Sequence, residues 1–378
     1  MANSLHLSRE VEVYVKYDTD YWKVPVLDGF SFSQSTNTAE VAVKEMANGS
    51  NASRRGRLMF NDSMAPAEWS FSTYARPFKR VVSETDEHHM IEEVMWAMLN
   101  QTPHTAYNST SNKFTQADSI EQGDAGAKVK FNKSNVLTAP SATIWFKFPG
   151  NDAADGGNTD IWYELGDATV NECAAEFDID GITTLNWSGS AKSLSEAAGS
   201  TVTAIGSATM EVTDAEIQNT GSFIRNRLTQ LTVASAMGGD IAASYNLVLT
   251  GGSITITNNV EYVTPASLGQ VNKPLGHTLG GRTVSGSFTC YLDHNTASSA
   301  DLIEDLLGSQ GAVKNKFALL FQVGGASSTP RVEFDMNQCH LEVPSHNVED
   351  VVGVEVNFHA LPTDIGATDE LEVLYVGA

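Results

Sequence analysis

Apolar and polar residues alternate with a period of two through much of this chain, the signature of strands with one buried and one solvated face. Asp28-Gly29-Phe30-Ser31-Phe32-Ser33 reads as a turn entering such a strand, and Trp69-Ser70-Phe71-Ser72-Thr73-Tyr74 as another. Ile144-Trp145-Phe146-Lys147-Phe148 is more continuously apolar, and a further strand ends in Leu185-Asn186-Trp187. The second half offers a counterpart to each, in the same order: Gly252-Ser253-Ile254-Thr255-Ile256-Thr257, Gly286-Ser287-Phe288-Thr289-Cys290-Tyr291, Leu319-Leu320-Phe321-Gln322-Val323 and Val356-Asn357-Phe358. In this pairing Phe30 and Phe32 answer Ile254 and Ile256, and Trp187 answers Phe358. The last strand alternates cleanly, with Val352, Val354, Val356 and Phe358 on one face and Gly353, Glu355 and Asn357 on the other.

Between the second and third strands of each half the period changes to that of a helix. Met90, Ile91, Val94, Met95, Met98 and Leu99 recur at helical spacing, as do Leu302, Ile303, Leu306 and Leu307. Each stripe is expected to lie on a sheet, leaving Glu92-Glu93 and Glu304-Asp305 in water. Ser83 with Asp86, and Ser298 with Asp301, have the spacing of helix N-caps. Five elements matching in order with conserved face parity point to an internal duplication. The first domain is expected over residues 1–197 and the second over 198–378, meeting near Ser193 to Thr201 where Ser, Ala and Gly dominate. The first half carries an extra segment, Asn100 to Ser134, whose Asn, Ser, Thr and Gln content predicts an inserted surface loop near 100–134.

Hydrophobic residues make up 41% of the 378, enough for substantial cores, while charged residues are only 18%, so Ser, Thr, Asn and Gly must cover much of the surface. The net charge of −23 repels phosphate and argues against a general grip on nucleic acid, though it suits a wall past which DNA slides. Cys173, Cys290 and Cys339 are too few and too scattered for a disulfide framework or a zinc site, and reduced thiols are expected. No apolar run approaches the roughly 20 residues of a membrane span, so membrane insertion is not expected. Met1 to Val11 shows no secretory pattern.

Candidate chemistry is sparse. His88-His89 beside Glu87 lacks the spacing of a zinc motif and reads as a solvated helix turn. Asp178-Ile179-Asp180-Gly181 lacks the later ligands of a calcium loop and reads as a tight turn. Glu92-Glu93 and Glu304-Asp305 read as exposed pairs rather than paired catalytic acids, and the Gly-Gly pairs lack the Lys-Ser/Thr of a phosphate loop. No catalytic, cofactor-binding or metal site is expected.

A family resemblance rests on longer stretches. Arg55-Gly56-Arg57, Phe60-Asn61-Asp62-Ser63 and Ala67 to Tyr74 in the first half, with Gly221 to Leu228, Ile256 to Tyr262 and Val354 to Ala360 in the second, together resemble the tail tube proteins of bacteriophages. The similarity is to the duplicated tube proteins of long, non-contractile tails. It implies a mainly β fold with a minor helical part: two tandem β-sandwich or half-barrel domains, each with one flanking helix. It further implies a structural virion protein, not an enzyme, made in the host cytoplasm and carried in the tail. Three copies would form a homotrimeric, pseudo-hexameric ring, and rings would stack into a tube. The tube would enclose the tape-measure protein, meet tail-terminator and baseplate proteins, and pass DNA without specific binding. Arg54, Arg55 and Arg57 are the candidate inter-ring contacts, on a long hairpin or loop reaching the next ring. Alternatives are a terminator, baseplate or secretion-tube ring protein of the same fold, or a β-sandwich binding module.

Overall fold

The computed structural model describes residues 6–42, 57–82, 85–131, 140–150, 160–235, 244–263, 274–308, 316–348 and 351–378. The chain is mainly β. Strands β1 (Glu12–Tyr17) and β2 (Asp20–Val24) form a hairpin, followed by β3 (Ser31–Ala42) and the long β4 (Arg57–Tyr74). A second hairpin, β5 (Pro77–Val82) and β6 (Thr85–Met90), leads into helix α1 (Glu93–Leu99). Then come β7 (Tyr107–Asn108), β8 (Lys113–Phe114), β9 (Ile120–Gly123), β10 (Gly126–Lys130), β11 (Ala142–Phe148), β12 (Ile161–Asp178), β13 (Thr184–Ala191) and β14 (Ser193–Glu196). Helices α2 (Gly199–Ser207) and α3 (Asp214–Ile217) precede β15 (Gln230–Ser235), β16 (Ser244–Asn246), β17 (Leu249–Thr257), β18 (Val260–Val263), β19 (Gly276–Leu279) and β20 (Thr283–Tyr291). Helix α4 (Ser299–Gly308) is followed by β21 (Phe317–Val323), β22 (Arg331–Leu341), β23 (Ser345–Val348), β24 (Val352–Ala360) and β25 (Glu372–Val376).

One antiparallel sheet runs across the molecule in the order β3-β4-β13-β12-β17-β20-β24, with β22 and then β23 on the far side of β24. The β12–β17 pair, Glu172 opposite Thr257 through Asp178 opposite Gly251, makes it continuous between the two halves of the chain. A sheet packs on each end. β2-β1-β11-β12-β14 covers the first, where the Phe146 ring lies tilted 4.6 Å from that of Phe32. β16-β15-β21-β22-β25-β10-β9 covers the second, where Phe321 meets Phe177, Phe288 and Phe358. β12 and β22 each pass from a covering sheet into the continuous one. Each does so at a bulge, which bends a strand sharply: pairing shifts between Ala142–Ala168 and Ile144–Leu165 on β12, and between Phe317–Cys339 and Leu319–Met336 on β22.

All four expected strand types of each half are present, but several local expectations fail. The Asn100 to Ser134 segment is not a surface loop over its described part. It supplies β7 to β10 and buries Phe114, Ile120, Val129 and Phe131, because β10 pairs with the C-terminal strand β25 and so receives a core to pack against. Helix α1 is not an amphipathic surface helix: every residue from Glu93 to Leu99 is buried. Met90 ends β6 instead of opening the helix, so His88 and His89 lie on a buried strand rather than a solvated helix turn. Asp86 also lies in β6 and caps nothing, while Ser83 is outside the described residues. α4 follows expectation more closely, burying Leu302 and Leu306, with the backbone N–H groups of Ala297 and Ser298 donating to Asp301. Gly181, in the left-handed region at φ 112°, makes the turn between β12 and β13. The three cysteines are buried and free.

Candidate functional site: a polar sheet face and an extended hairpin

Alternation gives the continuous sheet two unlike faces. Inward, Trp69, Phe71, Cys173, Leu185, Trp187, Ile254, Ile256, Phe288, Val356 and Phe358 are all buried. Outward, β4 presents Glu68, Ser70 and Ser72, β13 Thr184, Asn186, Ser188 and Ser190, and β12 Glu172, Ala174, Glu176 and Asp178. The same face continues with Ser253, Thr255 and Thr257 on β17, Ser285, Ser287 and Thr289 on β20, and Glu355, Asn357 and His359 on β24. Hydroxyl groups bridge neighbouring strands here: Ser31 with Ser70 at 2.8 Å, Ser72 with Asn186 at 2.6 Å, Thr250 with Thr289 at 2.8 Å. Five carboxylates stand on this outward face and, among the described residues of these strands, no lysine or arginine does. Short hydroxyl side chains satisfied by one another leave few donors for a passing anion, and the carboxylates repel phosphate.

The second feature is the outer part of β3 and β4. Its pairing continues through two bulges to Val41 opposite Leu58 and Ala42 opposite Arg57. From Asn37 to Ala42 that is about 20 Å of strand. Successive residues Leu58, Met59 and Phe60 are 60%, 54% and 47% exposed, so neither face of the ribbon is covered. Of the candidate arginines, Arg57 starts β4, while Arg54 and Arg55 lie outside the described residues. The structure therefore puts one of the three at the open end of the hairpin. β18 and β19 form a hairpin between β17 and β20, and it folds back. Its Tyr262 hydroxyl donates to the Asp167 carbonyl at 2.6 Å, and the Val260 N–H donates to Asn171 at 2.7 Å.

The acidic pairs fall into different settings. Glu92 and Glu93 are not exposed but essentially inaccessible, at 0% and 1%. Glu93 accepts from the Trp22 indole at 2.9 Å and the Gln122 amide at 2.7 Å, and the paired partners hold it inside. Burial, the largest influence, pushes the Glu92 carboxyl up to about 7, against the lowering effect of the Tyr375 hydroxyl. The Trp96 indole donates to that same hydroxyl at 2.9 Å. His88 accepts from the Gly377 N–H at 2.8 Å, and His89 stacks on Phe78. These groups tie α1, β6 and the C-terminal strand together as a buried polar network. Sequence periodicity missed it, because a carboxylate beside an apolar stripe gives no sign of its partners. The Thr213-Asp214-Ala215-Glu216 stretch has the spacing of a capping box and forms one; its Glu216 also takes a bidentate pair from Arg80, at 2.8 and 2.9 Å.

The sheet thus has one apolar and one hydroxyl-rich acidic face, outer edges that no strand among the described residues covers, and a projecting hairpin. Residues 8–360 match the family model for phage tail tube proteins, and the chain belongs to that family. Members are structural components of the virion whose rings form the tail tube through which DNA leaves. Among curated proteins the chain is similar to tail tube protein pb6 of Escherichia phage T5, 28% identical over 376 residues, covering 97% of this chain and 75% of that one.

Proposed function

We propose that three copies of this chain close into a ring, that the hydroxyl-rich acidic face lines its lumen, and that the β3–β4 hairpin joins one ring to the next. The observation that carries the reading is the run of that face across both halves with the β12–β17 pair joining them. Two tandem tube domains per chain, divided near 197/198, would turn a trimer into a pseudo-hexamer. The repeated strand orders, β3-β4-β13-β12 and β17-β20-β24-β22, support the duplication. Assembly would take place in the host cytoplasm around the tape-measure protein, with the ends of the tube meeting terminator and baseplate proteins. DNA would cross the lumen without specific binding, and no enzymatic activity is assigned.

The hairpin is the part most open to direct test. Its exposed Leu58, Met59 and Phe60 offer apolar area that an adjacent ring would cover, at roughly 25 cal/mol per Å² removed from water. The arginines Arg54, Arg55 and Arg57 would meet acidic groups there. Replacing all three arginines with Glu is expected to leave single rings and abolish tubes in electron micrographs. Tubes of normal length from that variant would remove the hairpin from the inter-ring contact.

A further inference from the structure

We infer that the ring closes by strand pairing between β3 of one copy and β23 of the next, with Ser33 opposite Ser345. The inference rests on the ring reading above and supplies its seam. On β12, one edge is shared by two strands: β11 along the first part and β17 beyond the bulge. On β22, β21 occupies the corresponding first part. Beyond it, along β23, no strand among the described residues pairs on that edge. Nor does any pair with β3 on the side away from β4.

The β12–β17 junction serves as the template, and its register transfers. The bulges make Ala168 equivalent to Cys339. A second one-residue shift follows in each half, before Glu172–Ser188 in one and before Ser345–Glu355 in the other. Ala174 then corresponds to Ser345, Ala175 to His346 and Phe177 to Val348. Taking Phe71 and Phe288 as equivalent on β4 and β20, Phe32 (opposite Trp69) corresponds to Ile254 (opposite Gly286), and Ser33 to Thr255. This moves the sequence-based matches of the first and last strands by two residues and leaves every face unchanged. Since Ala174 faces Thr255 and Phe177 faces Gly252, Ser345 should face Ser33, and Val348 should face Phe30. Parity is kept: Ser33 and Ser345 fall on the polar face. Val348, 77% exposed in the single chain, meets a half-buried phenylalanine on the apolar one.

Directly opposed residues of an antiparallel pair lie within reach of a disulfide. The native cysteines are buried and compete little. The test is S33C with S345C in one full-length chain, assembled, checked for rings or tubes by microscopy, oxidised and run on a non-reducing gel. The expected result is bands of two and three chains with the trimer dominant and reversed by reductant. S33C with H346C, whose side chains would point to opposite faces, should stay monomeric. Assembled tubes that give only monomer, or equal cross-linking from both variants, overturn the seam while leaving the ring standing. Bands beyond three chains overturn closure at three. Parent protein that forms no ring at any concentration overturns the ring reading and the seam with it.

Discussion

Glu92 makes the stability of the fold depend on pH in the neutral range. Its carboxyl is fully buried beside Tyr375, and burial raises it to about 7 from an ordinary value of 4.5. The folded form therefore binds a proton that the unfolded form has already released between those values. Stability contributed by the neutral carboxyl is complete below about pH 4.5 and is lost as pH rises to about 7, by about 3 kcal/mol in all. Glu92→Gln removes this loss: thermal melting of variant and parent should agree most closely near pH 5 and diverge in favour of the variant by pH 8. A constant difference across that range would contradict the assignment. Nothing in the sequence announced this. A pair of acids beside Met90, Ile91, Val94 and Met95 has the pattern of a wet helix edge, and only the distant Trp22, Gln122 and Tyr375 make burial tolerable.

At the scale of elements, the strands were legible and their long-range partners were not. Alternation located β4, β13, β17, β20 and β24 because each has one face in the core and one outside, so the two-residue period survives intact. The extra segment of the first half failed for the opposite reason. β7 to β10 are short; β7 and β8 pair with each other, and β9 and β10 join the covering sheet because β25 arrives from the far end of the chain to pair with β10. That strand is a keystone, bonded to β10 on one side and β22 on the other, with Val373 and Tyr375 fully buried. Deleting residues 371–378 is expected to leave two unpaired edges and expose that core. Size-exclusion chromatography should show the truncated chain aggregating, whereas a clean, parent-like peak would show β25 to be dispensable. The polar sheet face was legible residue by residue, as the other half of the alternation. That its strands form one surface required the β12–β17 pairing, which no periodicity encodes.

For the whole molecule, the charge of −23 gains meaning from where the carboxylates stand. Glu68, Glu172, Glu176, Asp178 and Glu355 share the face proposed to line the lumen, where no arginine or lysine among the described residues offsets them. Changing Glu68, Glu176 and Glu355 to Lys reverses that field without touching the core. Tubes of the variant should retain double-stranded DNA at low ionic strength and release it as salt rises, while parent tubes should not retain it. Equal, weak retention by both would place these residues away from the path of DNA. In the proposed ring, the covering sheets would serve as walls and the edges at β3 and β23 as joints to the neighbours, while the buried network under α1 ties down the C-terminal strand.

The central claim is tested most directly by cryo-electron microscopy of the purified protein assembled across a concentration series, with subunits counted in each ring. The account predicts hollow stacked rings of three chains, sixfold in outline, with the β3–β4 hairpin crossing to the adjacent ring and the Ser- and Thr-rich face inward. Rings of six chains, or tubes whose lumen is lined by any other face, would contradict it.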